Sequence, residues 1–184
     1  MKTAILLHGT GGNGTDYFWF GDTSKYLQSK GYEVWWPALP NSEDPIFEES
    51  LYFIKQNMPT IDHETIIIGH SSSCPLILSW LQFVKTPIKQ AILVSGYYQL
   101  IKGQATSLLQ DREFDWMAIK SAVSEIILIN SDNDPWQCDD KQARPAAQKL
   151  DAEFVLAKGQ GHMGSGKFNQ PYRDFALIKQ LLAV

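Results

Sequence analysis

The chain has 184 residues, of which 44% are hydrophobic, 12% aromatic and 20% charged. That size suits one sizeable domain whose core needs no metal or disulfide staple, and the ordinary apolar and charged fractions exclude wholesale disorder. The 16 basic and 20 acidic residues leave a formal charge of -4, scattered without a Lys/Arg cluster, which excludes the electrostatic footprint of a nucleic-acid binder.

Residues 1–184 read as a single domain. The longest apolar runs, such as Ala4-Ile5-Leu6-Leu7 and Ile66-Ile67-Ile68, are too short to span a bilayer, so no membrane partner is expected. Only a few residues precede His8, too few for a secretory hydrophobic segment, so a cytoplasmic location is expected. Cys74 and Cys138 lie far apart, with neither a CxxC nor a Cys/His spacing. Two free thiols and no structural zinc are expected.

In chain order, residues 4–7 form a buried strand stopped by Gly9, Gly11, Gly12 and Gly14. Asp22 is placed to cap a helix running to Ser29, which Gly31 ends at the position after the cap. Residues 32–36 are β-branched and aromatic, closed by Pro37 and Pro40, and a helix is expected over 46–57. Residues 65–68 carry the strongest strand signal. Their continuous Ile run belongs to a strand covered on both faces, as in a parallel sheet. The next helix, 75–84, is apolar nearly all round and so should be the most buried, with Pro75 in its first turn. Strands follow at 91–94, 125–129 and 154–156, and helices at 141–150 and 173–182. In the last helix Phe175, Ile178 and Leu182 share one face. The alternation predicts an α/β fold: a doubly wound, mainly parallel sheet with helices on both faces and no large cap domain. Residues 97–120 have no clean period; such an insertion forms either irregular helix over the sheet edge, from which lids are drawn, or a helix simply packed on the sheet.

The segment Gly69-His70-Ser71-Ser72-Ser73-Cys74 lies between the strongest strand and the most buried helix. A serine on a sharp strand-to-helix turn has its hydroxyl lifted above the sheet, with small residues needed two positions to either side. Gly69 and Ser73 supply them around Ser71. Serine in place of the second glycine of G-x-S-x-G adds a Cβ and a hydroxyl where close packing is expected. Ser72 should offer its backbone N–H to a developing oxyanion.

A serine nucleophile needs a base, and the base needs an orienting acid. Parallel-sheet enzymes gather such groups at the carboxyl ends of strands. After strand 125–129 comes Asn130-Ser131-Asp132-Asn133-Asp134-Pro135-Trp136, and after strand 154–156 comes Gly159-Gln160-Gly161-His162-Met163-Gly164. Asp134 is the expected acid and His162 the expected base, while Asp132 should brace its loop. His8 should hold the first loop by hydrogen bonds. His70 should sit inside the turn with its side chain directed away from Ser71, and His63 should be exposed.

Gly9-Thr10-Gly11-Gly12-Asn13-Gly14 also matches the dinucleotide pattern G-x-G-x-x-G. That pattern requires a helix opening at the glycines and an acidic residue ending the second strand. This chain instead has an aromatic stretch at 15–20 and Trp36-Pro37 at those places. The glycines are better used to fold the loop back, so that the Thr10 N–H completes an oxyanion hole with Ser72. Trp19, Trp136 and Met163, each in a loop carrying a proposed catalytic part, are the candidate pocket residues.

With these residues in view the chain resembles the small serine hydrolases that include retinoblastoma-binding protein nine and the bacterial YdeN proteins, within the α/β-hydrolase superfamily. The resemblance covers essentially the whole chain. It rests on His8-Gly9, Trp19, Gly69-His70-Ser71, Leu93-Val94-Ser95-Gly96, Ser131-x-x-Asp134 and Gly161-His162. It implies a catalytic triad on Ser71, Asp134 and His162, and it does not fix a substrate. The expected activity is hydrolysis of a small acyl ester, or of an amide or thioester, in a carboxylesterase-like reaction without metal or cofactor. The compact chain predicts a shallow site for short acyl groups. The alternative is a non-catalytic binding or regulatory protein on the same fold, its site vestigial or occluded by residues 97–120.

Overall fold

In β1 (Lys2–Leu7) Ala4 and Leu6 belong to one apolar cluster, Ile5 and Leu7 to another. Successive strand side chains point to opposite faces, so a strand apolar at every position must be covered on both. The same alternation runs through β3 (Ile66–His70), β4 (Ile88–Val94) and β5 (Val123–Asn130). Ile67, Leu93 and Leu128 face one core, and Ile68, Val94 and Ile129 the other.

The computed structural model, which describes residues 2–14, 16–101, 103 and 108–184, joins these strands into one six-stranded sheet. Its order is β2-β1-β3-β4-β5-β6, with β2 at Tyr32–Trp35 and β6 at Glu153–Leu156, and every neighbouring pair is parallel. Helices α1 (Phe20–Ser29) and α6 (Ala176–Leu181) cover one face through Phe20, Leu27 and Ile178. Helices α2 (Phe47–Asn57), α3 (Ser73–Leu81), α4 (Trp116–Ser121) and α5 (Asp140–Leu150) cover the other. This is the doubly wound α/β fold that the alternating signals predict. Every residue of α3 is buried, as its all-round apolar pattern requires.

Some boundaries differ from expectation. Helix α1 starts at Phe20, so Asp22 lies in its first turn and is not the cap; there it still complements the helix dipole. Helix α6 begins only at Ala176, because Phe175, at its N-cap, turns into the core with φ −135°. In residues 97–120 the only helix among the described residues is the start of α4 at Trp116, held by its N-cap Asp115. The choice between a lid and a helix packed on the sheet falls partly on residues 102 and 104–107, which lie outside the described residues.

The register sets the site. Leu7 pairs with Gly69, Gly69 with Leu93, Val94 with Ile129, and Asn130 with Leu156. The carboxyl ends of β1, β3, β4, β5 and β6 are therefore level, and the loops that follow them share one edge. The chain winds outward from β1 to β2 and back across to β3. A crevice opens beyond β1 and β3, where ligands bind in folds of this kind.

Candidate active site

Ser71 follows β3 immediately and has a φ of 56°. A non-glycine residue in the left-handed region costs roughly 1–3 kcal/mol and persists only where its surroundings over-determine it. Here they do. The Ser71 N–H donates to Val94 O at 2.9 Å, and Ser71 O accepts from the Cys74 N–H at 3.0 Å. A Cβ on Gly69 would stand 2.5 Å from Ile77 Cδ1, and one on Gly9 would stand 2.8 Å from Ser71 Cβ. Gly9, which would also meet the His70 carbonyl at 3.0 Å, needs glycine for the turn to close, whereas a Cβ at Gly69 would have to push the Ile77 side chain aside. Ser73, the departure from the glycine pattern, is fully buried and used: its Oγ lies 2.6 Å from Leu7 O and accepts from the His70 N–H at 2.9 Å. The hydroxyl ties the end of β1 to the turn.

Across the edge, His162 Nδ1 donates to Asp134 Oδ2 at 2.7 Å, and both side chains are buried. Asp134 Oδ1 accepts from the Trp136 N–H at 2.8 Å, so the carboxylate is held at both oxygens. With Nδ1 as donor, the His162 Nε2 lone pair is the one free to take a proton. Neighbouring side chains fix the two loops together: Asp132 Oδ1 accepts from the Gly159 N–H and Asn133 Oδ1 from the Gly161 N–H, each at 2.8 Å. Asp132 thus braces its loop as its position suggests, and Asn133 adds a tie not visible in the sequence.

His70 sits between these parts. It is fully buried; its Nε2 donates to the His162 carbonyl at 2.8 Å, and its Nδ1 accepts from the Tyr17 hydroxyl, also at 2.8 Å. The Tyr17 oxygen in turn accepts from the Gly9 N–H at 3.0 Å, and Ser95 Oγ donates to the same His162 carbonyl at 2.9 Å. Burial, with His162 alongside, holds His70 well below its ordinary pKa, so it is neutral. His8 is neutral for the same reason, burial. Its Nδ1 donates to Gly9 O at 2.8 Å and its Nε2 accepts from the Leu39 N–H at 2.9 Å, which is the loop-holding role expected of it. Sequence reasoning placed His70 but missed its link to His162. It missed Tyr17, Ser95 and Ser73 as supports altogether; only the position of His70 beside Ser71 could have hinted at its link.

A cleft of about 570 Å³ opens over this edge, and Ser71, Ser72, Thr10, His162 and Trp136 line it. That volume lies within the usual range for ligand pockets, roomier than the shallow site expected of a compact chain. Ser71 is only half-buried, at the cleft surface. Thr10 Oγ1 donates to Ser72 Oγ at 3.1 Å, which draws the first loop against the turn. Among the described residues neither the Thr10 nor the Ser72 backbone N–H donates to a protein acceptor. Two of the three expected pocket residues are corrected. Trp19 and Met163 are both fully buried and do not line the cleft. The Trp19 indole N–H donates to Met163 O at 2.8 Å, so the pair anchors the His162 loop to the core instead of touching a ligand.

Asp134, Cys138 and His162 each bring one potential ligand atom within 4.8 Å of the others. Asp134 and His162 already satisfy one another, however, and burial, followed by the Asp134 charge, raises the Cys138 thiol pKa well above its ordinary value.

Comparison with known proteins places the chain in a family. A family model described as serine hydrolase matches residues 4–179. Serine hydrolase RBBP9 of Rattus norvegicus is 28% identical over an alignment 191 residues long that takes in 98% of this chain and 95% of that protein. YdeN of Bacillus subtilis is 25% identical over 167 residues, covering 88% and 85% respectively. The crystal structure of the ydeN product superposes with a TM-score of 0.88 at 22% identity, over 98% of this chain and 96% of that one. BpoC of Mycobacterium tuberculosis superposes at 0.72 with 10% identity, covering 98% and 90%. These last two likenesses concern the fold.

Proposed function

The chain belongs to the serine hydrolase family, and from that membership we propose that it cleaves a small acyl ester, or less readily an amide or thioester, through Ser71, His162 and Asp134. The observation that carries this reading is the buried His162–Asp134 pair at 2.7 Å, opening on the same cleft as a serine held at positive φ. Ser71 Oγ attacks the substrate carbonyl carbon while His162 Nε2 takes its proton. Asp134 holds the ring and stabilises the imidazolium that forms. The oxyanion takes hydrogen bonds from the backbone N–H groups of Thr10 and Ser72, with the N-terminus of α3 behind them. Collapse expels the leaving group, protonated by His162, and leaves an acyl-Ser71. Water, deprotonated by His162, then attacks the acyl carbon and releases the acid.

No metal or cofactor enters this sequence of steps. No helix among the described residues is long and apolar enough to cross a membrane. We place the working site in the cytoplasm, where thiols such as the buried, free Cys74 and Cys138 stay reduced. Among the described residues, partial exposure of Ser71 in the cleft favours turnover over an occluded binding protein.

The test is labelling with a fluorophosphonate probe, followed by intact mass and peptide mapping. One adduct on Ser71, abolished in Ser71→Ala and His162→Ala, is the expected result. Absence of an adduct on folded protein would overturn the reading and turn attention to partner binding.

A further inference from the structure

The cleft carries charge unevenly. Lys167, on the loop that follows His162, lines it, and its ammonium lies 4.7 Å from the centroid of the Trp136 ring and 5.8 Å from that of Phe168. Trp136 also lines the cleft, its ring centroid 6.4 Å from that of His162 and its indole N–H donating to Ser165 Oγ at 3.2 Å. Among the described residues Lys167 has no carboxylate partner, whereas the other cation of the cleft, Arg173, is ion-paired to Asp16. Glu43 lines the cleft near Gly11, on the side of Thr10, also without a cation partner. The cleft thus holds a positive charge set over an aromatic ring near His162, and a negative charge beside Gly11.

The proposed chemistry orients a substrate between them. His162 must protonate the departing oxygen, so the leaving group lies on the His162 side, along the wall that holds Trp136, Ser165 and Lys167. Building on the serine-hydrolase reading, we propose that the substrate is an ester whose leaving group carries an anionic substituent such as a carboxylate, received by the Lys167 ammonium over Trp136. An unpaired Lys ammonium is a point charge that accepts an anion without displacing an existing salt bridge. Its indole floor gives an aromatic or planar leaving group a surface to lie on. Glu43, beside Gly11 in the first loop, repels the same anion from that part of the cleft.

The experiment compares kcat/KM for 4-acetoxybenzoate and its neutral methyl ester, methyl 4-acetoxybenzoate, in the unaltered protein, Lys167→Met and Lys167→Glu. Intrinsic reactivity of the two esters cancels when their ratio is compared between proteins. The expected ratio favours the carboxylate by about fivefold more in the unaltered protein than in Lys167→Met, the scale of a partly exposed charge pair. It falls further in Lys167→Glu, and the difference shrinks in high salt. Ratios that agree within about twofold across the three proteins overturn the proposal. Fluorophosphonate labelling in parallel separates the two failures. A labelled Ser71 with an unmoved ratio removes only the anion preference. No labelling and no turnover of either ester removes the hydrolase reading, and the preference with it.

Discussion

The ring of His70 donates from Nε2 to the backbone carbonyl of His162 at 2.8 Å, so the residue before the proposed nucleophile holds the loop of the proposed base. The contact is fully buried, and the Tyr17 hydroxyl fixes the other ring nitrogen and reaches the Gly9 N–H, beside Thr10. One hydrogen-bonded chain therefore spans the three loops that must keep register. His70 touches no reacting atom; it positions.

From this follows a split between substitutions. His70→Gln keeps an N–H for the His162 carbonyl and an oxygen for Tyr17, whereas His70→Phe keeps neither. A small displacement of a catalytic group can cost about 100-fold in rate. We expect His70→Phe to lower kcat by about 10- to 100-fold with KM little changed, and His70→Gln to recover most of it. Steady-state kinetics on a chromogenic ester reads both. Equal losses in the two variants would remove the positioning role.

Asp134→Asn keeps the shape of the acid while losing its charge and its control of the His162 tautomer. The expected loss in kcat is about 10³- to 10⁴-fold, with fluorophosphonate labelling slowed in parallel and the fold retained by circular dichroism. A rate within tenfold of the unaltered protein would move the acid to another residue.

Protonation of His70 gives the fold a pH dependence. Its folded pKa is held well below the ordinary histidine value of 6.5, by burial first, so at mildly acid pH the unfolded chain binds a proton that the folded chain refuses. Stability therefore rises with pH, is complete above about 6.5, and is lost as pH falls below that value. The slope approaches about 1.4 kcal/mol per pH unit for this one group. His8, also lowered by burial, acts in the same direction. Urea denaturation at pH 7.5 and 5.5 checks the sign, and His70→Gln should show a shallower loss. A slope unchanged in His70→Gln would contradict the assignment.

Ser73 carries a structural prediction. Its hydroxyl lies 2.6 Å from Leu7 O and accepts from the His70 N–H, so Ser73→Ala leaves buried polar groups unpaired. The expected cost is about 1–3 kcal/mol of unfolding free energy, measured by chemical denaturation, with the Ser71 adduct still forming. A Ser73→Ala protein as stable as the unaltered one would show that the hydroxyl only fills space.

How much of this was legible beforehand divides along physical lines. The continuous Ile run at 66–68 and the apolar helix behind it reveal a strand and helix buried on all sides, because burial acts on composition and period, which are local. The serine after that strand, the Asp-bearing loop and the glycine-flanked histidine each stand after a strand end, so their convergence follows once the strands are parallel. Trp19 and Met163 failed as pocket residues because a loop position says nothing about which side of the loop a side chain leaves. Both turn inward, joined by the Trp19 indole and the Met163 carbonyl at 2.8 Å.

The amino-acid order alone determines the alternation of strands and helices, their double-sided burial, and the sequence in which serine, aspartate and histidine arrive at one edge. The tertiary structure decided the rest. The 2.7 Å approach of His162 to Asp134, the Tyr17–His70–His162 chain and the seat of Lys167 over Trp136 all join residues distant in sequence or set by loop geometry. Hydrogen bonds need donor and acceptor within a few tenths of an ångström, a precision that periodicity does not carry and only the packed strands impose.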